Sequence, residues 1–269
     1  LPHGRPGEGR DADPHGGLLS EGGCMIPLHA WLDDWDHLPV HGVHGRTIIQ
    51  AAAELDRRVA LHGIDLMVTT DPWAYRRIIE RATETFKDTQ AVPSILPLLN
   101  RHADPISRLI RPSLFFALVG TRPERPAPLL TTATGCRYDG PIRSLLETQR
   151  LWTDRTATRA PFKEVCVEGV DKALDALGPV HHCGSTWVDI EHRGKDIGKM
   201  MARINVMCAW LKFGAFPIFG TTVPGKNFHA ERVIGKASMD GTPSDLIIFS
   251  PNYVVADAQS VLTMNQSHE

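Results

Sequence analysis

The feature that most constrains the fold is a β-rich segment joined by a glycine-bearing turn to a long apolar helix. Residues 179–190 (PVHHCGSTWVDI) have a strand pattern, and residues 197–213 (IGKMMARINVMCAWLKF) have helical apolar spacing up to Gly214. The first amides of such a helix lack partners, and the helix dipole adds positive charge there. Arg193 and Lys195 in the turn HRGKDIG strengthen this preference for an anion. The sequence therefore predicts a phosphate-binding turn, with an ordinary strand-to-helix connection as the alternative.

The surrounding segments alternate between helix and strand patterns. A helix pattern ends at Gly63, a strand pattern covers residues 64–70, and Asp71 followed by Pro72 indicates an N-cap and a first helical residue. The other predicted strands are 114–120, 129–138, 215–223, 246–249 and 253–262, and the other predicted helices are 92–110, 142–152, 167–177 and 228–237.

These elements predict an α/β fold with a mixed sheet and flanking helices. The strands on either side of the proline-rich segment TRPERPAP are expected to pair antiparallel, whereas the strand before the glycine turn reaches the next strand through a helix, as parallel strands do. Residues 1–24 lack apolar periodicity, which predicts a disordered tail or a non-native extension before a natural start at Met25. A helical extension is expected over 25–63 and the main domain over 64–269.

Charge and cysteine content narrow the classes of function. The chain has 29 Lys and Arg against 31 Asp and Glu, which argues against nucleic acid or a membrane surface as the partner. No run approaches the roughly 20 apolar residues that span a bilayer. Five scattered cysteines without a secretory signal favour a cytoplasmic setting. His181 and Cys183 could share a metal ion, but no third ligand is suitably spaced, so no metal is expected.

The turn and the strand before it resemble the acyl-CoA-binding signature of the GNAT superfamily of N-acetyltransferases. That signature is a strand followed by Arg/Gln-x-x-Gly-x-Gly/Ala, and in VDIEHRGKDIG the first position is Arg193 and the last is Gly198. The resemblance implies a GNAT-like mixed sheet with a splayed strand pair. It also implies that the turn holds the pyrophosphate of the cosubstrate acetyl-CoA, while pantetheine pairs with the strand. Asp196 departs from the signature, because it stands where the family usually has glycine.

The resemblance also implies a set of site residues. Glu191 is the expected base, with a solvated carboxylate at a strand end as the alternative. His229 is the expected acid, because Ile234 stands at the family's tyrosine position, and a surface histidine is the alternative. Asn227 and Ala230 match the family's second motif. The expected cofactor-binding residues are Trp187, Val188, Asp189, Arg193, Gly194, Lys195, Asp196, Ile197, Gly198 and Asn227.

Three classes of function remain open. The leading one is transfer of an acetyl group from acetyl-CoA to an amine of a small molecule or peptide, with Asp189 and Glu191 on one strand face and His192 on the other. Asp196 should weaken pyrophosphate binding by on the order of 1 kcal/mol, which favours a non-catalytic acyl-CoA-binding or protein-interaction module as the second. A structural or dimerisation module is the third, because the final strands of this fold often pair between the subunits of a homodimer.

Overall fold

A computed structural model describes residues 25–36, 42–85, 115–122, 129–138, 165–168, 179–222, 231–239 and 242–266. Within these residues, nine strands form one sheet in the order β1-β2-β3-β4-β6-β7-β9-β8-β5. The strands are β1 (Ile26–Pro27), β2 (Asp65–Thr69), β3 (Phe115–Thr121), β4 (Thr131–Tyr138), β5 (Val165–Glu168), β6 (Val180–Val188), β7 (Ile218–Thr222), β8 (Arg232–Met239) and β9 (Thr242–Phe249).

Five α-helices accompany the sheet in the described part of the chain. They are α1 (Leu28–Asp36), α2 (Gly42–Ala60), α3 (Pro72–Thr85), α4 (Ile197–Phe213) and α5 (Pro251–Gln266). None of these described helices combines the length and the apolar character needed to cross a bilayer. The fold is therefore α/β, as the alternating patterns predicted.

The sheet is mixed, and its two kinds of strand pairing confirm the predicted connections. β3 and β4 pair antiparallel as the predicted hairpin. β6 and β7 pair parallel and are joined through α4, which is the crossover that parallel strands require. The other neighbouring strands pair antiparallel. The strand that precedes the glycine turn, β6, therefore belongs to the parallel pair.

The helix ends follow the predicted local signals. Asp71 caps α3, because its Oδ1 accepts a hydrogen bond from the backbone N of Trp73 at 2.8 Å. Gly63, just after α2, has φ +71, a left-handed conformation that favours glycine. α4 has the predicted bounds, and the backbone N of Gly214 donates to the carbonyl of Trp210 at 3.0 Å. These three boundaries are confirmed.

The predicted strand at 253–262 is wrong, because these residues lie in α5. Val254, Ala258 and Val261 are all buried, and their spacing of four and three residues places them on one helix face. Pro251 is the first helical residue, a position that proline favours. The apolar run therefore has the helical period of about 3.6 residues and not the strand period of two.

Two predicted helices are also wrong where the structure describes them. The prediction at 228–237 overlaps β8 from Arg232 onward, and the prediction at 167–177 begins inside β5. β8 pairs antiparallel with both β9 and β5, so sheet pairing overrides the weak helical pattern. The predicted helices at 92–110 and 142–152 and the predicted tail at 1–24 lie outside the described residues.

The two N-terminal helices share one hydrophobic core with the sheet and α4. Leu28 and Trp31 of α1 and Ile48 of α2 are buried in the same cluster as Ile204 of α4. The ring of Trp31 stacks on that of Phe116 in β3, with centroids 6.3 Å apart. α2 also contacts α5. The helix that follows the glycine turn is thus held between the sheet and the N-terminal helices.

Candidate functional site

The end of β6 leads into a short turn that Asp189 fixes. Residues 190–192 form one turn of 3-10 helix, and the backbone N of Asp189 donates to the carbonyl of Leu130 at 2.7 Å. The Asp189 carboxylate accepts a hydrogen bond from the backbone N of Glu191 at 3.1 Å. His192 is buried, with its Nδ1 at 3.5 Å from Oδ2 of Asp189. Asp189 therefore holds the shape of the turn.

The predicted alternation of Asp189, Glu191 and His192 across a strand is wrong. β6 ends before Asp189, and a 3-10 turn does not place alternate residues on one face. The side chain of Glu191 is 76% exposed, and Nη2 of Arg122 lies 4.0 Å from its Oε2. Such an exposed ion pair contributes little to stability. Among these three residues, Glu191 is the one that solvent and a ligand can reach.

The next four residues contain two left-handed positions. Gly194 has φ 81 and Asp196 has φ 56, and Asp196 is the described non-glycine residue with a positive φ. An L-residue in this conformation costs about 1 kcal/mol, although aspartate tolerates it better than most. Nε of Arg193 donates to the carbonyl of Val188 at 3.0 Å and so ties the turn to the end of β6.

The first backbone amides of α4 make no hydrogen bond within the helix. Its first helical bond joins the backbone N of Met200 to the carbonyl of Asp196 at 2.9 Å, so the amides of residues 197–199 have no partner within the helix. The Asp196 side chain makes no capping hydrogen bond. Ile197 is buried and anchors the helix start, whereas residues 194–196 are exposed. This arrangement can accept an anion through backbone amides.

The last glycine of the turn, Gly198, has room for a methyl group. A Cβ at Gly198 would lie 3.5 Å from Cγ2 of Val188, which is an ordinary contact. Alanine would therefore fit, in agreement with the Gly/Ala choice at that position of the resembling signature.

The ladder between β6 and β7 is short. It has two registered pairs and ends at His182 and Phe219, although both strands continue further. At the next residue of β7, Gly220, a Cβ would lie 2.7 Å from the carbonyl oxygen of Cys183. The two strands thus approach closely at this point, and the ladder stops there.

A β-bulge in β6 lies just beyond this point. Thr132 of β4 is opposite Trp187, and Thr134 is opposite Gly184. Residues 185–186 of β6 therefore face a single residue of β4. A bulge bends its strand and increases the twist, and this one begins three residues beyond His182, the last residue of β6 that pairs with β7.

Two buried histidines form the β6 side of the short ladder. The ring of His181 packs against the rings of Phe213 and Phe216, at centroid distances of 5.1 and 5.7 Å, and burial lowers its pKa to about 3 with a further contribution from Arg137. Burial lowers the pKa of His182 to about 4. Both rings are therefore neutral near pH 7. The described residues contain no group of three or more side chains suited to a metal ion.

The structure brings the predicted binding residues of β6, the turn and the start of α4 into one region. Asn227 and His229 lie outside the described residues. The patterns do not predict three polar residues beside the bulge, Thr131, Thr134 and Asn205, which are all buried. The available signals were a threonine run in an otherwise apolar strand and a lone asparagine in an apolar helix.

The site thus combines donor amides at the start of α4 with a strand whose registered pairing with its parallel neighbour ends at His182 and Phe219. This geometry suits a ligand that has an anionic group at one end and an extended chain at the other. Comparison with models of protein families gives no match for this chain, and comparison with curated protein sequences gives none.

Proposed function

We propose that this protein binds the pyrophosphate of acetyl-CoA at residues 193–198 and transfers the acetyl group to an amine of a small molecule or peptide. The observation that carries the proposal is the left-handed backbone at Asp196, φ 56. This is the position at which the GNAT signature usually has glycine, and glycine adopts a left-handed conformation more readily than any other residue. The φ angle of Asp196 therefore supports the resemblance, despite the substitution.

The start of α4 supports the binding of a phosphate group. Backbone amides at the first turn of a helix need no basic side chain to attract an anion, and the helix dipole adds to them. Lys195 is exposed and Lys199 is half-buried, so both can add positive charge. Arg193 has a different role, since its Nε is bonded to the carbonyl of Val188.

The short ladder between β6 and β7 supports a GNAT-like splayed strand pair. In this proposal, pantetheine lies between the two strands beyond His182 and Phe219, where the ladder ends. The amide groups of pantetheine can pair with strand backbone in the manner of an added strand. The thioester would then lie along the bulged part of β6, between the turn and the ladder.

The proposed reaction is a direct transfer. The amine nitrogen attacks the thioester carbonyl, the carbon–sulfur bond breaks, and the thiolate of CoA leaves and takes up a proton. A base removes the proton that the amine nitrogen loses. Glu191 is the proposed base because its carboxylate is exposed at the turn, and His229 is the proposed acid.

Replacement of Glu191 tests the catalytic part of the proposal. Glu191→Gln should lower turnover about 100-fold, at the low end for a general base because the side chain is exposed. Release of CoA thiol would be measured with a panel of small amines and peptides. Arg122→Gln is the matched control, since it removes the neighbouring cation and leaves the carboxylate. Equal turnover in Glu191→Gln and wild-type protein would contradict the assignment.

A non-catalytic acyl-CoA-binding or protein-interaction module is the second candidate, and Asp196 favours it. Its exposed carboxylate lies at the start of α4, where a pyrophosphate would bind, and like charges repel. Binding of acetyl-CoA without thiol release across the panel would select this candidate. A homodimer remains a prediction from the resemblance, to be tested by the mass of the protein in solution.

Removal of the Asp196 carboxylate tests this repulsion. Asp196→Gly should tighten acetyl-CoA binding about tenfold in calorimetry. Relief of the left-handed strain, about 1 kcal/mol, should exceed the loss of the favourable interaction between the carboxylate and the helix dipole, so the fold should gain a few tenths of a kcal/mol. Asp196→Asn is the matched control, since it removes the charge but keeps a side chain that tolerates this backbone. It should tighten binding with little gain in stability. Unchanged heats in both variants would count against a pyrophosphate at this turn.

We also propose a reducing, cytoplasmic setting. Cys136, Cys183 and Cys208 are buried free thiols, which are compatible with that setting. Burial raises the pKa of each thiol, and that of Cys136 to about 12, so these residues serve as packing groups.

A further inference from the structure

Two buried threonines of β4 hold β6 on either side of its bulge. Oγ1 of Thr131 donates to the carbonyl of Trp187 at 2.7 Å, and Oγ1 of Thr134 donates to the carbonyl of Gly184 at 3.4 Å. Both threonines are at most 2% exposed. The bulged residues 185–186 are thus bracketed by two side-chain hydrogen bonds. These bonds add to the backbone pairing between the two strands.

A buried asparagine of α4 supports the same point from the helix side of the sheet. Asn205 is 1% exposed, and its Nδ2 donates to the carbonyl of Thr134 at 2.8 Å. Its own backbone carbonyl accepts a weak hydrogen bond from Sγ of Cys183 at 3.7 Å. Its Oδ1 has no hydrogen-bond partner among the described residues. An incompletely satisfied amide in a core is unfavourable, so packing alone does not account for it.

Asn205 also links the bulge to the anion-binding turn. It lies on α4, which begins at Ile197, and eight residues of α-helix span about 12 Å. The start of α4 is the proposed anion site. About two helical turns after that start, Asn205 bonds α4 to Thr134 of β4, beside the bulge. The two parts of the proposed site are joined by one rigid element.

We infer that Thr131, Thr134 and Asn205 are positioning residues that hold the bulged part of β6 in register for the acyl-pantetheine arm of acetyl-CoA. This inference rests on the proposed function. A pantetheine amide must meet strand backbone groups at hydrogen-bond distance, and a bulge that shifts by one residue turns those groups to the other side. The three side chains prevent that shift without contacting the ligand themselves.

Two ligands distinguish the contribution of the pantetheine arm to binding from that of the pyrophosphate. Acetyl-CoA contains both, whereas 3′-phosphoadenosine 5′-diphosphate has the pyrophosphate and lacks pantetheine. Dissociation constants for both would be measured by calorimetry on the full chain. In the double variant Thr131→Val with Thr134→Val, and in Asn205→Leu, acetyl-CoA should bind about tenfold more weakly. The diphosphate should bind within twofold of its wild-type affinity.

Two further variants control for a general loss of packing. Tyr75→Phe removes the buried hydrogen bond between the Tyr75 hydroxyl and Oγ1 of Thr132, 2.9 Å apart, in the same sheet. It should leave both affinities unchanged. Thr134→Ser keeps the hydroxyl and should keep the wild-type ratio of the two affinities, which makes the test independent of whether Asn205→Leu folds.

The outcomes distinguish this inference from the proposed function. Wild-type protein that binds neither ligand would overturn the proposed function, and the inference with it. Wild-type protein that binds both ligands, together with valine variants that keep the wild-type ratio, would overturn the inference alone. An equal loss for both ligands in the valine variants would show a merely structural role and would overturn it as well.

Discussion

Acidification from pH 7 to pH 5 should cost the protein about 4 kcal/mol of stability at His181 and His182, about 2 kcal/mol for each ring. Asp56, whose pKa burial raises to about 6, should offset on the order of 1 kcal/mol of this loss. Burial lowers the pKa of the two histidine side chains to about 3 and about 4 in the folded protein. In the unfolded chain both titrate near 6.5. Between these values the unfolded chain takes up two protons that the folded protein does not.

The sign follows from this difference in proton uptake. The stability that the two neutral rings contribute is complete above pH 6.5 and is lost as the pH falls toward 3 to 4. Groups around the rings do not relieve this loss. Arg137, which pairs with His181 across the strands, opposes its protonation, and the aromatic neighbours offer no counter-charge.

The two histidine rings lie at one place in the sheet, so the loss of stability should act there first. His181 and His182 supply the β6 side of both registered pairs with β7, which join the two halves of the sheet. Protonation therefore opposes the one parallel contact that holds the proposed slot together. We expect unfolding by acid to begin at this ladder.

Urea unfolding at a series of pH values measures this effect. His181→Leu should reduce the loss of unfolding free energy between pH 7 and pH 5 by about 2 kcal/mol, because one of the two protons no longer contributes. His44→Gln, at an exposed position of α2, is the control for the loss of a histidine. Equal unfolding free energies at pH 7 and pH 5 in the wild-type protein would contradict the account.

A negative charge at Gly198 should weaken ligand binding strongly without loss of stability. Gly198→Glu places a carboxylate at the first turn of α4, where it would meet the proposed pyrophosphate, and we expect affinity for acetyl-CoA to fall about 100-fold. The same carboxylate interacts favourably with the helix dipole, by about 0.3 to 1 kcal/mol. Binding and stability should therefore change in opposite directions, which a misfolded variant cannot imitate.

Gly198→Ala is the matched control for this variant. Its Cβ would lie 3.5 Å from Cγ2 of Val188, an ordinary contact, and alanine is about 1 kcal/mol better than glycine within a helix. It should keep the wild-type affinity. Calorimetry gives the affinities, and thermal unfolding gives the stabilities. Similar affinities of Gly198→Glu and Gly198→Ala would rule out an anion at this turn.

Local signals allowed the prediction of the elements that have clear ends. α4 follows from apolar spacing that stops at Gly214, and the start of α3 follows from the Asp71-Pro72 pair. Both signals act through neighbouring residues, so the rest of the fold need not be known. The region that carries the proposed anion site was predictable for this reason.

The errors arose where distant residues decide the structure. The segment of α5 was predicted as a strand because burial on a helix face was not visible in a short apolar run. β8 has a helical pattern, but its pairing with β9 and β5 prevails. The 3-10 turn after Asp189 depends on one carboxylate that accepts a backbone hydrogen bond, a choice that strand alternation does not encode.

The threonines and the asparagine beside the bulge were missed for the same reason. Thr134 and Asn205 are 71 positions apart in the chain, and their contact exists because α4 packs on β4. The amino-acid sequence does not show which group a buried asparagine bonds. The three-dimensional contacts were needed to show that these residues surround one point of β6.

Acetyl-CoA binding by the wild-type protein tests the central claim most directly. A ligand that binds the folded protein alone must raise the unfolding temperature as its concentration rises, and a concentration of 100 times Kd adds about 2.7 kcal/mol. We predict a rise that grows with acetyl-CoA concentration in the wild-type protein and is lost in Gly198→Glu. An unfolding temperature that stays constant in millimolar acetyl-CoA would contradict the account.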